Sequence, residues 1–333
     1  MAAPPLRALV LAAGLGTRLR PLTASCPKPL LPVAGTPLLA HTLARLAEVG
    51  CEAVAINLHH LGEAIRGHFG DRFCGMELRY SPEPEILGTL GALGPLREFL
   101  GAAPSFLVIN GDSLCDWPLA ELLEAHGRAG TLATLLVSSR AEPSSFGGGI
   151  GLGEGGRVVR FTATGPVVGR AERERVFAGA HAMRRELLAG LPPGPADTVR
   201  QLYEPMLAAG LPIASLETDR PWFDLGTPVR YLEAVLGWTG VAASQRSWLD
   251  PGAEVAVSAE LSGSVIEAGA EVGAHSRVAR SLLLRGARVG AGARVSGSIL
   301  GFGVEIPPGT ETESELVTRG EQPGELVRTE IEP

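Results

Sequence analysis

The 333-residue sequence predicts an α/β domain built on a mostly parallel sheet, followed by a short β-solenoid. Three observations carry that expectation. Short apolar runs alternate with stretches of helical periodicity from residue 8 to about residue 240. A 17-residue period starts at Val255 and returns at Val272, Val289 and Ile306. Hydrophobic residues make up 45% of the chain, enough at this length to bury about two domains.

In chain order, 8–13 reads as a buried strand, and 38–49 carries apolar residues at helical spacing and stops at Gly50, a C-cap residue. A strand at 53–58, a helix at 61–69 and a strand at 77–80 follow. A helix is expected at 90–100, a buried strand at 105–109, and the alternation recurs at 117–128 and 132–137. From 144 to 169 glycine-rich turns separate short strands. A strand at 176–183 and helices near 198–209 and 228–236 complete a domain spanning 1–240.

The repeat occupies 250–310. Leu261, Val278 and Val295 share one column, Ile266, Leu283 and Leu300 another, and Ser264, Ser281 and Ser298 a third. Apolar anchors fall 6, 5 and 6 residues apart, which suits three short strands per coil, each sending one residue to the axis. A single coil cannot bury its apolar row, so the coils must stack. Residues 311–333, rich in Glu, Thr and Pro, are expected to form a mobile or loosely docked tail.

The net charge of −7 argues against nucleic acid as a partner, because phosphate backbones need a basic surface. Four cysteines without a CxxC pair suit reduced thiols of a cytoplasmic protein better than zinc or a disulfide framework. No run approaches the roughly 18 apolar residues of a membrane span, and no secretory pattern opens the chain.

The segment after the first strand, AGLGTRLRPLT, invites three readings. A dinucleotide fingerprint fails because Leu19 stands at the third glycine position, and no Walker pattern is present. In the third reading, Gly14 and Gly16 turn backbone N–H groups toward an anion and Arg18 supplies a charged fork. Lys28 lies between Pro27 and Pro29, whose restricted backbones aim its charge. An ordinary glycine turn with solvated cations fits the same residues.

The string GxGTRLxPLT followed by PKPLLPVAGTPLL resembles the signature of the sugar-1-phosphate nucleotidylyltransferases. EPEILGTLGAL, INGDSL, VFAGAHAM and WFDLGTPVRY follow in that family's order, so the resemblance covers about residues 6–240. It implies a Rossmann-like domain, and many members carry a C-terminal left-handed parallel β-helix. The implied reaction joins a nucleoside triphosphate and a sugar 1-phosphate to give a nucleotide sugar and pyrophosphate. The LGTLG loop looks most like that of mannose-1-phosphate guanylyltransferases, which act on GTP and mannose 1-phosphate; uridylyl or thymidylyl transfer is the alternative.

The resemblance also implies roles. Leu11, Ala13, Gly14, Gly16, Thr17 and Arg18 line the nucleotide, with Glu85, Gly88 and Thr89 near base and ribose. Arg18 and Lys28 act on the transferring phosphates, and Gly147 and Gly179 face the sugar. Asp112 and Asp224 are the implied carboxylates for Mg²⁺, a hard ion that takes one or two carboxylates beside phosphate oxygens. An Asx turn at Asp112 and a helix-capping role at Asp224 are the competing structural readings.

Two departures stand out. The family's F-x-E-K-P segment reads FTATGPVV here at 161–168, without its lysine, and Phe177 stands where many members have Asn. Arg160, Arg170 and Arg173 are the nearby candidates for the missing charge. These departures motivate a second reading, a non-catalytic subunit that senses a nucleotide sugar; binding without turnover would distinguish it. A third, an acyltransferase using His275 of the solenoid, would require activity to vanish on deletion of residues 250–333 while the remainder stays folded. The solenoid is expected to mediate homo-oligomerisation.

Overall fold

Apolar runs of five or six residues are too short for a stable helix and suit strands buried on both faces. In the computed structural model, which describes residues 5–331, Arg7–Leu11, Ala53–Leu58 and Ser105–Asn110 are such strands. The chain forms two compact units: residues up to Leu15 with Leu39–Trp222, and Gly16–Leu38 with Phe223 onward.

The first unit holds a sheet of ten strands among the described residues. Its order runs Val158–Arg160, Ile150–Leu152, Arg173–Arg184, Ser105–Asn110, Arg7–Leu11, Ala53–Leu58, Met76–Pro82 and Arg72–Phe73. Ala133–Ser138 pairs with the long Arg173–Arg184 strand and with Ala214–Thr218. The four strands from Ser105–Asn110 to Met76–Pro82 are parallel, and Arg173–Arg184 runs against them. From Arg7–Leu11 the chain builds outward on one side and then returns to Ser105–Asn110 on the other. The carboxyl ends of those two neighbours therefore form a topological switch point, where open α/β sheets bind ligands.

Two expected helices are broken. The stretch 90–100 splits into Gly88–Gly91 and Arg97–Gly101, because Gly91, Gly94 and Pro95 interrupt it. The one near 198–209 begins as a π-helical turn, Val199–Tyr203, and becomes α-helical at Glu204–Ala208 beside Pro205. Cys51 and Cys115 are free and buried; burial pushes the Cys51 thiol up to about 12 and the Cys115 thiol well above its usual range.

In the second unit the 17-residue period becomes three stacks of short parallel strands, the arrangement expected of a left-handed β-helix. Val255, Val272, Val289 and Ile306 pair in register, as do Leu261, Val278 and Val295, and Ile266, Leu283 and Leu300. Most of these side chains are buried and, with Leu261 and Val255 packed against them, form the coil axis. The serine column has its own job. Ser264, Ser281 and Ser298 each accept, through Oγ, the backbone N–H 17 residues later, at 3.1–3.2 Å. Ser247 starts this ladder one coil earlier than the sequence indicated.

Alternation along a strand points Val265, Leu282, Ile299 and Leu316 away from the axis, yet all four are fully buried. Helix Pro228–Trp238 packs against Leu282–Leu283 and accounts for part of that cover. Residues 311–331 are not the loose tail the composition implied. Glu311–Glu313 and Glu315–Arg319 continue two of the stacks, and Leu326–Glu330 folds back antiparallel on the latter. Leu316 and Val317 supply the apolar residues that a composition of Glu and Thr conceals. Among the described residues no helix is long and apolar enough to cross a membrane.

Candidate functional site

In the first unit, the switch point is drawn tight by one glycine. The Gly111 amide donates to the Leu11 carbonyl at 2.9 Å. A Cβ on Gly111 would lie 2.8 Å from that oxygen and 3.1 Å from Val10 Cγ1. No other residue lets the backbone pass this close, so Asp112 emerges directly at the end of the sheet, half-buried. Gly179 meets the same place from the antiparallel strand. It is buried at φ +82°, and a Cβ there would sit 3.3 Å from Ser113 Oγ and 3.4 Å from Asn110 Cβ. Leu11, Asp112 and Gly179, assigned separately from three motifs, thus share one edge.

The loop after Leu11 is held by residues that sequence reasoning missed. Ala12 N–H donates to Asn57 Oδ1 at 2.7 Å, and Asn57 Nδ2 donates to Glu83 Oε1 at 2.8 Å. The other oxygen of Glu83 accepts the Leu87 amide at 2.9 Å. Asn57 and Glu83 are buried, whereas Glu85, the acid singled out in the same EPE stretch, is exposed. The signal was an Asn within an otherwise apolar strand, a buried polar side chain that needs partners.

Ala13 is buried, while Gly14 is exposed with open space where a side chain would be. Gly88 and Thr89 are committed to the protein. A Cβ on Gly88 would lie 2.7 Å from the Ala196 carbonyl. Thr89 Oγ1 accepts from Thr198 N–H at 3.0 Å and lies 2.9 Å from Thr198 Oγ1. Gly147 follows the turn Pro143–Phe146 at φ +75° and is exposed, with Phe146 against Trp222 at 5.1 Å between ring centroids.

The departures also have physical occupants. In FTATGP, Thr162 Oγ1 donates to Glu204 Oε1 at 2.8 Å, and a side chain on Gly165 would collide with that carboxylate. Arg160 pairs with Glu174, while Arg173 and Arg175 share Glu217, holding its carboxyl below the usual range. Arg170 is exposed and, among the described residues, makes no ion pair. Phe177 packs edge-on to His181 at 5.4 Å and, partly buried, against the core.

In the second unit, Gly16 takes the left-handed conformation at φ +61°, its carbonyl accepting Thr23 Oγ1 at 2.8 Å. This launches the single turn Thr17–Leu19, on which Thr17 and Arg18 are exposed. Lys28 opens another single turn, Lys28–Leu30, and is only 8% exposed. Asp224 ends the strand Trp222–Asp224, half-buried, and its Oδ2 pairs with Arg230 Nη1 at 2.6 Å. It is not the helix cap, because Thr227 accepts the Arg230 amide ahead of Pro228. Arg18 and Asp224 close over Gly226. A Cβ there would lie 2.8 Å from Arg18 Nη2 and 2.9 Å from Asp224 Oδ2. Among the described residues no cluster of three or more His, Cys, Asp or Glu side chains offers a metal cage.

Comparison with known proteins agrees with this layout. A family model described as nucleotidyl transferase matches residues 7–239, and one described as GlmU-like, C-terminal hexapeptide matches 240–316. A mannose-1-phosphate guanylyltransferase catalytic subunit beta from Dictyostelium discoideum is 30% identical over 233 residues, covering 69% of this chain and 64% of that protein. The counterpart from Drosophila pseudoobscura pseudoobscura is 32% identical over 236 residues, covering 68% and 60%. The chain therefore matches less than two thirds of these relatives' own length. The crystal structure of HddC from Yersinia pseudotuberculosis, complexed with GMP-PN, superposes with a TM-score of 0.58 at 20% identity, covering 70% of this chain and 99% of that one; the likeness is one of fold. With its switch-point edge, glycine loop and stacked hexapeptide coils, this chain belongs to the nucleotidyl transferase family.

Proposed function

We propose that this protein transfers a nucleotidyl group from a nucleoside triphosphate to a sugar 1-phosphate, releasing pyrophosphate, with GTP and mannose 1-phosphate as the first pair. The observation that carries the reading is the edge formed by Leu11, Asp112 and Gly179 at the switch point. The similarity to mannose-1-phosphate guanylyltransferases supports the choice of base and sugar.

An oxygen of the sugar phosphate attacks the α-phosphorus in line, a P–O bond forms, and the α–β bridging bond breaks with its electron pair leaving on pyrophosphate. No protein nucleophile is needed, so the chain's work is positioning and charge stabilisation. The amides from Gly14 to Thr17 and the Arg18 guanidinium receive the triphosphate, and Lys28 offsets charge growing on the leaving group. Gly88 and Thr89 hold the loop near the base, and the open space at Gly147 leaves room for the sugar, with the backbone of Gly179 at the sheet edge.

Magnesium suits this chemistry, since it takes one or two carboxylates beside phosphates and water, and Asp112 in the first unit and Asp224 in the second are each half-buried carboxylates. Bound there, it would neutralise phosphate charge. The Asp224–Arg230 pair and the acid filling FTATGP favour one second reading, a sensor of nucleotide sugars. The test is pyrophosphate release with Mg²⁺, crossing the four ribonucleoside triphosphates and dTTP with a panel of sugar 1-phosphates. A clear peak for one pair establishes the enzyme. Nucleotide binding without turnover for any pair would replace it with the sensor.

A further inference from the structure

The residues at 17-residue intervals from Asp250 run Asp250, Glu267, Leu284 and Gly301, one per coil. Asp250 N–H bonds to Ile266 O and Glu267 N–H to Leu283 O, each at 2.9 Å, so the two acids follow equivalent points of consecutive coils. Packing alone does not call for two acids here. Like charges on adjacent strands repel, and Leu284, fully buried, shows what the column takes when only packing matters. Glu267 is nevertheless 3% exposed. A carboxylate so buried needs a donor, and Glu267 has one: the Gly35 amide, 3.1 Å from Oε1.

Gly35 is the tip of the hairpin formed by Pro32–Val33 and Thr36–Pro37, at φ +74°. A Cβ there would lie 3.2 Å from Asp250 Oδ2, 3.5 Å from Trp248 Cη2 and 3.8 Å from Glu267 Oε2. The hairpin is thus pressed onto the first coils with its backbone donor aimed at the acids. It is gripped again three residues earlier, where Tyr231 Oη, fully buried, donates to the Pro32 carbonyl at 2.7 Å. Pro32 is four residues from Lys28, and the whole segment 16–38 belongs to the solenoid's compact unit.

We infer that Glu267 is a positioning residue for nucleotide binding: through the Gly35 amide, the first solenoid coils fix the segment that carries Arg18 and Lys28. The solenoid then acts on the transfer reaction through one part-buried hydrogen bond, in addition to any role in assembly. The inference rests on the proposed function for what the segment binds, but not for how it is held. A carboxamide at 267 can still accept from Gly35, whereas a methyl group cannot, so the two replacements separate the bond from the mere presence of an acid.

The experiment compares wild type, Glu267→Ala and Glu267→Gln in the full chain. Hydrogen exchange of the 32–38 amides should quicken about tenfold in Glu267→Ala, the worth of one hydrogen bond to a charged group, and stay near wild type in Glu267→Gln. The dissociation constant for GTP with Mg²⁺, by calorimetry, should weaken by a similar factor in the alanine variant alone. In turnover the KM for the triphosphate should rise with the KM for sugar phosphate unchanged. Unaltered exchange in Glu267→Ala, or equal GTP weakening in both variants, overturns the inference. If wild type binds no nucleoside triphosphate, the functional reading fails while the exchange comparison still decides whether Glu267 holds the hairpin.

Discussion

Replacing Gly111 by alanine tests the edge directly. The new Cβ would begin 2.8 Å from the Leu11 carbonyl oxygen, where ordinary contact starts at 3.4 Å. Neither partner is a flexible side chain end, so backbone must retreat by about 0.6 Å in a close-packed sheet. That retreat also stretches the 2.9 Å bond from Gly111 N–H to the same oxygen beyond useful length. Overpacking of this kind costs about 1–3 kcal/mol, or roughly 5 °C in Tm for a unit of this size. The functional cost should be larger in proportion. Asp112 is the next residue, and a displacement of ~1 Å at a reacting centre is worth about a hundredfold in rate, so roughly tenfold is expected here. Thermal unfolding and pyrophosphate release, measured on one preparation, check both numbers. A variant with wild-type kcat and a Tm within about 1 °C of wild type would refute the reasoning, because the close approach would then constrain nothing.

Two further outcomes follow from charges already placed. Arg230→Ala removes the 2.6 Å partner of Asp224, a partly exposed pair worth about 1 kcal/mol; if Asp224 receives magnesium, the Mg²⁺ needed for half-maximal pyrophosphate release should fall about fivefold. A rise in that requirement would mean that the arginine supports the metal site. His181, fully buried against Tyr203 Oη, is pushed down to about 4 from its usual 6.5 by burial. The unfolded chain then binds the proton more readily, so stability is intact above pH 6.5 and is lost as pH falls from 6.5 toward 4, by up to about 3 kcal/mol. Chemical denaturation across that window should show the loss, and His181→Gln should reduce it.

Much of this was legible in the sequence because it is periodic or because it is glycine. The 17-residue columns translated directly into register, since a coil that slips by one residue would turn its apolar row outward. Gly179 was singled out in the sequence as a special backbone position, whereas the close approach at Gly111 became visible only in the fold. What could not be read were pairings across long separations. Glu83 and Glu85 look alike in EPE, and only the fold decides that Asn57, 26 residues earlier, meets the first and not the second. Asp224 was a plausible cap of the following helix until the structure placed Thr227 in that role. Composition misjudged residues 311–331, because a strand added to an existing stack needs few apolar residues of its own.

The altered sugar-side motif carries a physical meaning that its missing lysine alone does not. Removing a cation from a phosphate site would ordinarily leave neighbouring arginines to compensate, but here they are already spent on acids. Arg160 faces Glu174, and Arg173 and Arg175 face Glu217. Glu204 brings a further negative group into the turn where the lysine would stand, and Gly165 is shaped around it. An anionic ligand in that turn would meet repulsion from Glu204, and Arg170 is the one of the three candidate cations that makes no ion pair among the described residues. Such pairings between acids and arginines tens of residues apart leave no signature in the motif itself, which is why this half of the domain was the least legible in the sequence.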